Sequence, residues 1–179
     1  PGHAQLPVLL AVLLGQAGRA DDAVAILRAV DERSPFLPDA REVELELLTD
    51  AGRTEEALAR ARAFLADGGG ADDWARLGNV LDAMGRHGEA AEAYGKATAL
   101  AERGEPGPER WPPHLLRSAA LEQADRWPEA EKALEAAYAL APDNPVVLNY
   151  LGYARLERGE KLDEAEALIA EASRRAPGD

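Results

Sequence analysis

The chain has 179 residues, 46% of them hydrophobic, enough to bury a core as one elongated domain or two small ones. Aromatic residues make up only 5% and alanine is abundant, which suits closely packed helices better than sheets. The balance of 20 basic against 33 acidic residues (net charge -13) argues against nucleic acid and anionic membrane surfaces as partners. With no cysteine, disulfides, thiolate zinc sites and thiol catalysis are excluded, and either a reducing or an oxidising compartment fits.

The first stretch, Leu6-Pro-Val-Leu-Leu-Ala-Val-Leu-Leu14, has the apolar character of a signal-peptide core. It lacks a basic region before it and is far too short to span a bilayer, so the repeat spacing described next accounts for it better. The chain does not begin with Met, and its natural start is expected upstream.

Helix stop signals then recur along the chain. Gly18, Gly52, Gly85 and Gly159 each end a first helix, and Asp125 takes that place in a fourth unit. Their spacings are 34, 33, 40 and 34 residues. Glycine suits these places because it enters the left-handed conformation cheaply just past a helix end. A small residue opening the second helix recurs in step at Ala23, Ala57, Ala90, Ala130 and Ala165. The Gly-Arg pairs at 18–19, 52–53 and 85–86, with Asp125-Arg126, keep the same register.

Five units follow, at about 4–37, 38–70, 71–104, 111–144 and 145–178, each of two helices of roughly 12–14 residues. The first carries Leu10, Ala11, Leu14, Leu27 and Val30. The second is a weaker copy: Leu45, Leu48, Ala61 and Phe64 fit, but Glu44 stands where leucine is expected, and Asp67-Gly-Gly-Gly70 reads as a loose turn. In the third, Trp74, Leu77, Gly78 and Leu81 mark one helix face, and Ala90, Tyr94 and Ala97 mark the next. A segment rich in proline and glycine at 104–110 reads as an inserted loop, a tolerated surface insertion. The fourth unit holds Leu121, Leu134, Ala137 and Pro142, with Pro128 in the first turn of its second helix. The fifth holds Leu151, Gly152 and Ile169, has a turn one residue longer at 160–163, and ends at Ala176-Pro-Gly-Asp179 without a capping helix. The chain is therefore expected to be a fragment, or its last helix to be covered by a partner or another copy.

Trp74, Leu77-Gly78, Leu81, Ala90, Tyr94 and Ala97 stand at the spacings of the tetratricopeptide repeat (TPR), which this stretch resembles. The closing proline is replaced by Glu102, and Leu81 stands for the family's tyrosine. Asn149-Tyr-Leu-Gly-Tyr153 with Leu162-Asp-Glu-Ala165 resembles a variant of TPR proteins in Gram-negative bacteria, although Arg155 departs from it. The resemblance implies an all-α, right-handed superhelical solenoid of about five helix-turn-helix repeats. It also implies a concave groove, lined by the first helices, that holds a peptide. Carried over by position, groove-facing residues are Glu42, Glu46 and Thr49; Ala75, Asn79 and Asp82; Leu115, Ala119 and Glu122; and Asn149, Tyr153 and Leu156, with Arg76 and Tyr150 alongside. Of the basic clamp by which some members hold a peptide carboxylate, only Asn79 matches, so clamp-type binding is not expected.

Nothing in the pattern points to catalysis. His3, His87 and His114 are far apart, and Ser34, Ser118 and Ser173 lie in no nucleophile elbow. No metal-binding helix pair, calcium loop or phosphate loop is present. Acidic pairs such as Asp21-Asp22, Glu55-Glu56 and Asp72-Asp73 open helices, where they complement the helix dipole. The expected function is a non-catalytic protein–protein interaction scaffold, with no cofactor or metal, for a segment with basic and apolar side chains. The alternatives are self-association through the last repeat, giving a homo-oligomer, and a TPR part of a larger enzyme. A bacterial cytoplasm or periplasm fits equally.

Overall fold

The structure, a computed structural model, describes residues 5–66, 69–104 and 110–176. The expected turn at 67–68, the inserted segment at 105–109, His3 and Pro177 lie outside the described residues. Among the described residues there are ten α-helices and no strand. They are α1 (Leu6–Gln16), α2 (Ala20–Arg28), α3 (Leu37–Asp50), α4 (Thr54–Ala66) and α5 (Ala71–Ala83), followed by α6 (His87–Ala101), α7 (Trp111–Gln123), α8 (Trp127–Leu140), α9 (Pro145–Arg158) and α10 (Leu162–Arg175). Residues 1–86 and 87–179 form two compact units.

All five stop residues have the left-handed backbone their spacing predicts. Gly18, Gly52, Gly85 and Gly159 have φ between 68° and 73°, and Asp125 has φ 57°. At each turn the next amide reaches back to a carbonyl five residues earlier. Arg19 donates to Leu14 at 2.8 Å, Arg53 to Leu48 at 2.8 Å, Arg126 to Leu121 at 2.8 Å and Glu160 to Arg155 at 2.9 Å. That bond, with the shorter one beside it, is the Schellman closure, which satisfies carbonyls the helix end would otherwise strand. The longer fifth turn is taken up at Lys161, also left-handed at φ 45°.

Alanine explains how close the paired helices come. Ala23, Ala57, Ala90, Ala130 and Ala165 are each fully buried. In the first unit Val8, Ala11, Ala23, Leu27 and Ala40 form a core cluster, with Val43 and Leu47 of α3 packed on it. In the second, Leu115, Leu134, Leu151 and Ala154 form another, with Trp111, Trp127 and Tyr138 around it.

The recurring turn arginines act as a ladder. Arg53 meets Glu56 of its own repeat at 2.7 Å and Asp21 of the previous repeat at 2.6 Å. Arg126 likewise meets Glu129 at 2.7 Å and Glu92 at 3.0 Å. Each pair alone contributes little at a wet surface, but together they penalise a slipped register.

Glu44, the misfit of the second repeat, is 2% exposed yet well partnered. Arg28 Nε reaches it at 2.6 Å and Arg60 Nε at 2.8 Å, from α2 and α4. The second repeat has thus exchanged an apolar contact for a buried carboxylate held by two neighbours. Replacing both arginines by alanine strands that charge and should cost about 3 kcal/mol or more in urea unfolding. Glu44→Leu should change stability by less than about 1 kcal/mol, because both arginines can turn to water.

Gly152 sets the approach of α9 and α10. A Cβ there would stand 2.6 Å from Ile169 Cγ1 and 3.0 Å from the Ala165 carbonyl oxygen. Gly152→Ala should therefore lower stability by about 1–3 kcal/mol, read as a fall in the urea midpoint with the slope unchanged.

Candidate functional site

On α3, Glu42, Glu46 and Asp50 follow one another at intervals of four residues, so they share one helix face. On α5, Arg76, Asn79 and Val80 face the same space. Together with Leu45 and Thr49 these residues line a cleft of about 130 Å³ within the first unit. A second cleft of about 510 Å³ lies on the other side of α3, walled by Val12 of α1 and by Val43 and Leu47, and it shares Glu46 and Asp50. Two carboxylates thus border both hollows.

Charge around the first cleft is unevenly matched. Arg76 is nearly buried, with one guanidinium nitrogen 3.2 Å from Asp73 and another 3.5 Å from Glu42. Arg41 shares Asp73 at 3.3 Å. Glu46 and Asp50 have no basic partner within ion-pair distance among the described residues. Partial desolvation, and then the negative charges of Glu42 and Asp50, push the Glu46 carboxyl above its ordinary value. Asp82 lies farther along α5 and is half-buried.

In the second unit the expected residues divide. Leu115 is in the core cluster with Leu134 and Leu151 and offers no free surface; its neighbour Leu116 is the exposed one, at 40%. Glu122 pairs with Arg158 at 3.1 Å, and the Arg158 guanidinium lies 4.0 Å above the Trp127 ring. Asn149, Tyr150 and Tyr153 line an open cleft of about 300 Å³ on α9 and α10, with both tyrosines close to half exposed. His114 is buried and 3.7 Å from Glu102. Burial lowers its pKa, so it packs as a neutral ring.

Spacing alone does not single out Asp50, although its place four residues beyond Glu46 is there to be read. Nor does it anticipate that Arg155 is buried between Glu135 at 3.4 Å and Glu164 at 3.1 Å. Among the described residues, no group of three or more histidine or acidic side chains is placed to hold a metal ion. No described helix is long and apolar enough to cross a membrane.

Residues 74–103 match a family described as tetratricopeptide repeat. Its ten-helix fold is that of tetratricopeptide-repeat proteins. A thermophilic TPR protein of Thermus thermophilus is 25% identical, over 98% of this chain and 93% of that one, with a TM-score of 0.70. A putative kinesin light chain of Podospora anserina with TPR-like repeats is 18% identical, over 98% and 97%, with a TM-score of 0.70. MamA of Desulfovibrio magneticus is 14% identical, over 99% and 95%, with a TM-score of 0.64. The latter two likenesses concern the fold alone. Comparison with curated proteins gives no match.

Glu46 carries a testable cost. Its folded-state pKa is raised, so the ionised form opposes folding at neutral pH and protonation relieves it. Glu46→Gln should stabilise the protein at pH 7 by less than about 1 kcal/mol, since the site is wet. That advantage should shrink as pH falls through the raised pKa and vanish below about 4.3, where both states are protonated. Urea midpoints at several pH values read it.

Proposed function

We propose that the chain is a non-catalytic interaction scaffold that takes polypeptide segments against its first helices. Within the first unit the carboxylates of α3 receive basic side chains, and within the second, as a separate site, the exposed tyrosines of α9 receive apolar ones. TPR folds serve generally as protein-interaction scaffolds, and the likenesses above are all to TPR proteins. The observation that carries the finer reading is the Glu42–Glu46–Asp50 row. It lines a cleft with apolar walls at Leu45 and Val80, includes two carboxylates with no ion-pair partner among the described residues, and holds Glu46 reluctant to ionise. A lysine or arginine entering there supplies the missing countercharge while its aliphatic stem lies on Leu45 and Val80.

Arg76 and Asn79 add donors at the same place, which suits the carbonyls of an extended backbone. In the second unit, Tyr150 and Tyr153 present rings with polar tips, the kind of surface that anchors apolar side chains at low entropic cost.

Fluorescence anisotropy with a labelled peptide of lysine and leucine, and a glutamate–leucine peptide as control, tests this. The basic peptide should bind, and several-fold less tightly when ionic strength rises from about 50 to about 300 mM. Glu42→Gln, Glu46→Gln and Asp50→Asn together should weaken it about tenfold. The same loss of charge at exposed Asp72, Glu157 and Glu166 should have a much smaller effect. Equal effects of the two triple variants, or equal binding of the acidic peptide, would overturn the reading. Tyr150→Ala with Tyr153→Ala should weaken binding of an apolar segment to the second unit without changing helicity.

A further inference from the structure

The two clefts of the first unit flank one helix, and helix geometry fixes how they are related. Glu46 and Asp50, four residues apart and both exposed, form the outward ridge of α3. A helix turns about 100° per residue. Leu45 and Thr49 therefore point about 60° to 100° to one side of Glu46, into the cleft toward α5. Val43 and Leu47 point as far to the other side, into the cleft toward α1. Each hollow is walled on both sides by helices of the chain.

The two hollows suit different side chains. The one toward α5 is small, about 130 Å³, and carries the acids of α3 beside Leu45 and Val80. The one toward α1 is larger, about 510 Å³, and has apolar walls at Val12, Ala20, Val43, Leu47 and Ala51, with carboxylates only along the ridge. Its wall is firmly set. Leu47 packs on the core cluster of α1 and α2, in room that Gly15 leaves, since a Cβ there would collide with the end of the Leu47 side chain. A cation gains from the first hollow and an aliphatic side chain from the second.

The span between them selects a backbone. Crossing the ridge is a step of about one helix diameter, about 10 Å. Same-face side chains of an extended strand fall about 7 Å or about 13 Å apart, too short or too long. A polyproline-II segment turns once in three residues and advances about 9 Å, so residues three places apart point to one side at the required distance. We infer that the segment held by the first unit is a polyproline-II stretch with an apolar residue three places from a lysine or arginine. The basic side chain enters the hollow toward α5 and the apolar one the hollow toward α1. This rests on the proposed pairing of basic side chains with the α3 carboxylates, and adds to it a conformation, a second side chain and a spacing. Polyproline II has no internal hydrogen bonds and is already populated in unbound chains, so seating it on the ridge costs little ordering.

Fluorescence anisotropy with labelled peptides of equal length and composition tests the spacing. Each carries one lysine and one leucine, two, three or four places apart in either order, with proline elsewhere. In one of the two orders, the three-place peptide should bind about tenfold tighter than the others and than its leucine-to-alanine version. Val12→Ser, at an exposed position, should cut that advantage about threefold and leave the affinity of the alanine version unchanged. Equal affinity at every spacing would overturn the inference. If Glu42→Gln, Glu46→Gln and Asp50→Asn together still weakened all the peptides, the reading of the carboxylates would survive that result. No effect of this triple variant would overturn both. Tighter binding of a helix-forming alanine peptide with the two residues seven places apart would overturn the inference too, as would equal loss of the leucine and alanine peptides on Val12→Ser.

Discussion

A left-handed residue at each of five turns governs the rest of the structure. It reverses the chain within a few residues and closes the helix end with a hydrogen bond back to a carbonyl five residues earlier. Within each unit, two helices so joined run antiparallel and close together, and a residue as small as alanine fits their crossing. Ala23, Ala57, Ala130 and Ala165 are buried for that reason, and neither feature works alone. A tight turn without the alanines would splay the helices, and the alanines without the turn would have nothing against them. Asp125 shows the limits of the rule. It holds the same backbone as the glycines at φ 57°, in the conformation that aspartate and asparagine tolerate better than other residues with a Cβ.

Charge inside the helix pairs follows a second logic. Glu44 and Arg155 occupy core-side places where the repeat pattern calls for an apolar group, and each is held by two partners from neighbouring helices. Glu44 is gripped by α2 and α4, and Arg155 by α8 and α10. A buried ion held from both sides contributes little net stability, but it fixes which helices must be neighbours. Arg53 and Arg126 do similar work at the surface, each bridging its own repeat and the one before.

This is why the fold is legible in the sequence and the site only partly so. Periodicity registers what a residue contributes to its own helix, and the stops and alanines are properties of that kind. Leu115 shows where such reading ends. Its position along α7 marks it for the groove, but its exposure depends on α8 and α9, which close over it, and no spacing within α7 records that. Glu44 is the converse case: it reads as a flaw in the second repeat until Arg28 and Arg60 supply the reason for it. The exposed faces of α1 and α9 can be named from the sequence as apolar.

The α3 carboxylates bear on function because they work against the fold. A stability-driven sequence would not place Glu42, Glu46 and Asp50 in succession on one face, with the middle group partly desolvated and its neighbours repelling it. The ladder at the turns shows that this chain pairs its acids with arginines where pairing serves structure. On α3, Arg76 reaches Glu42 and stops short of the other two. In the proposed reading, an incoming basic side chain supplies the countercharge that Glu46 and Asp50 lack among the described residues. The same charge placed on a mobile loop could relax by moving apart. On α3 the helix keeps the three carboxylates on one face, which is why the proposed occupant is a basic side chain.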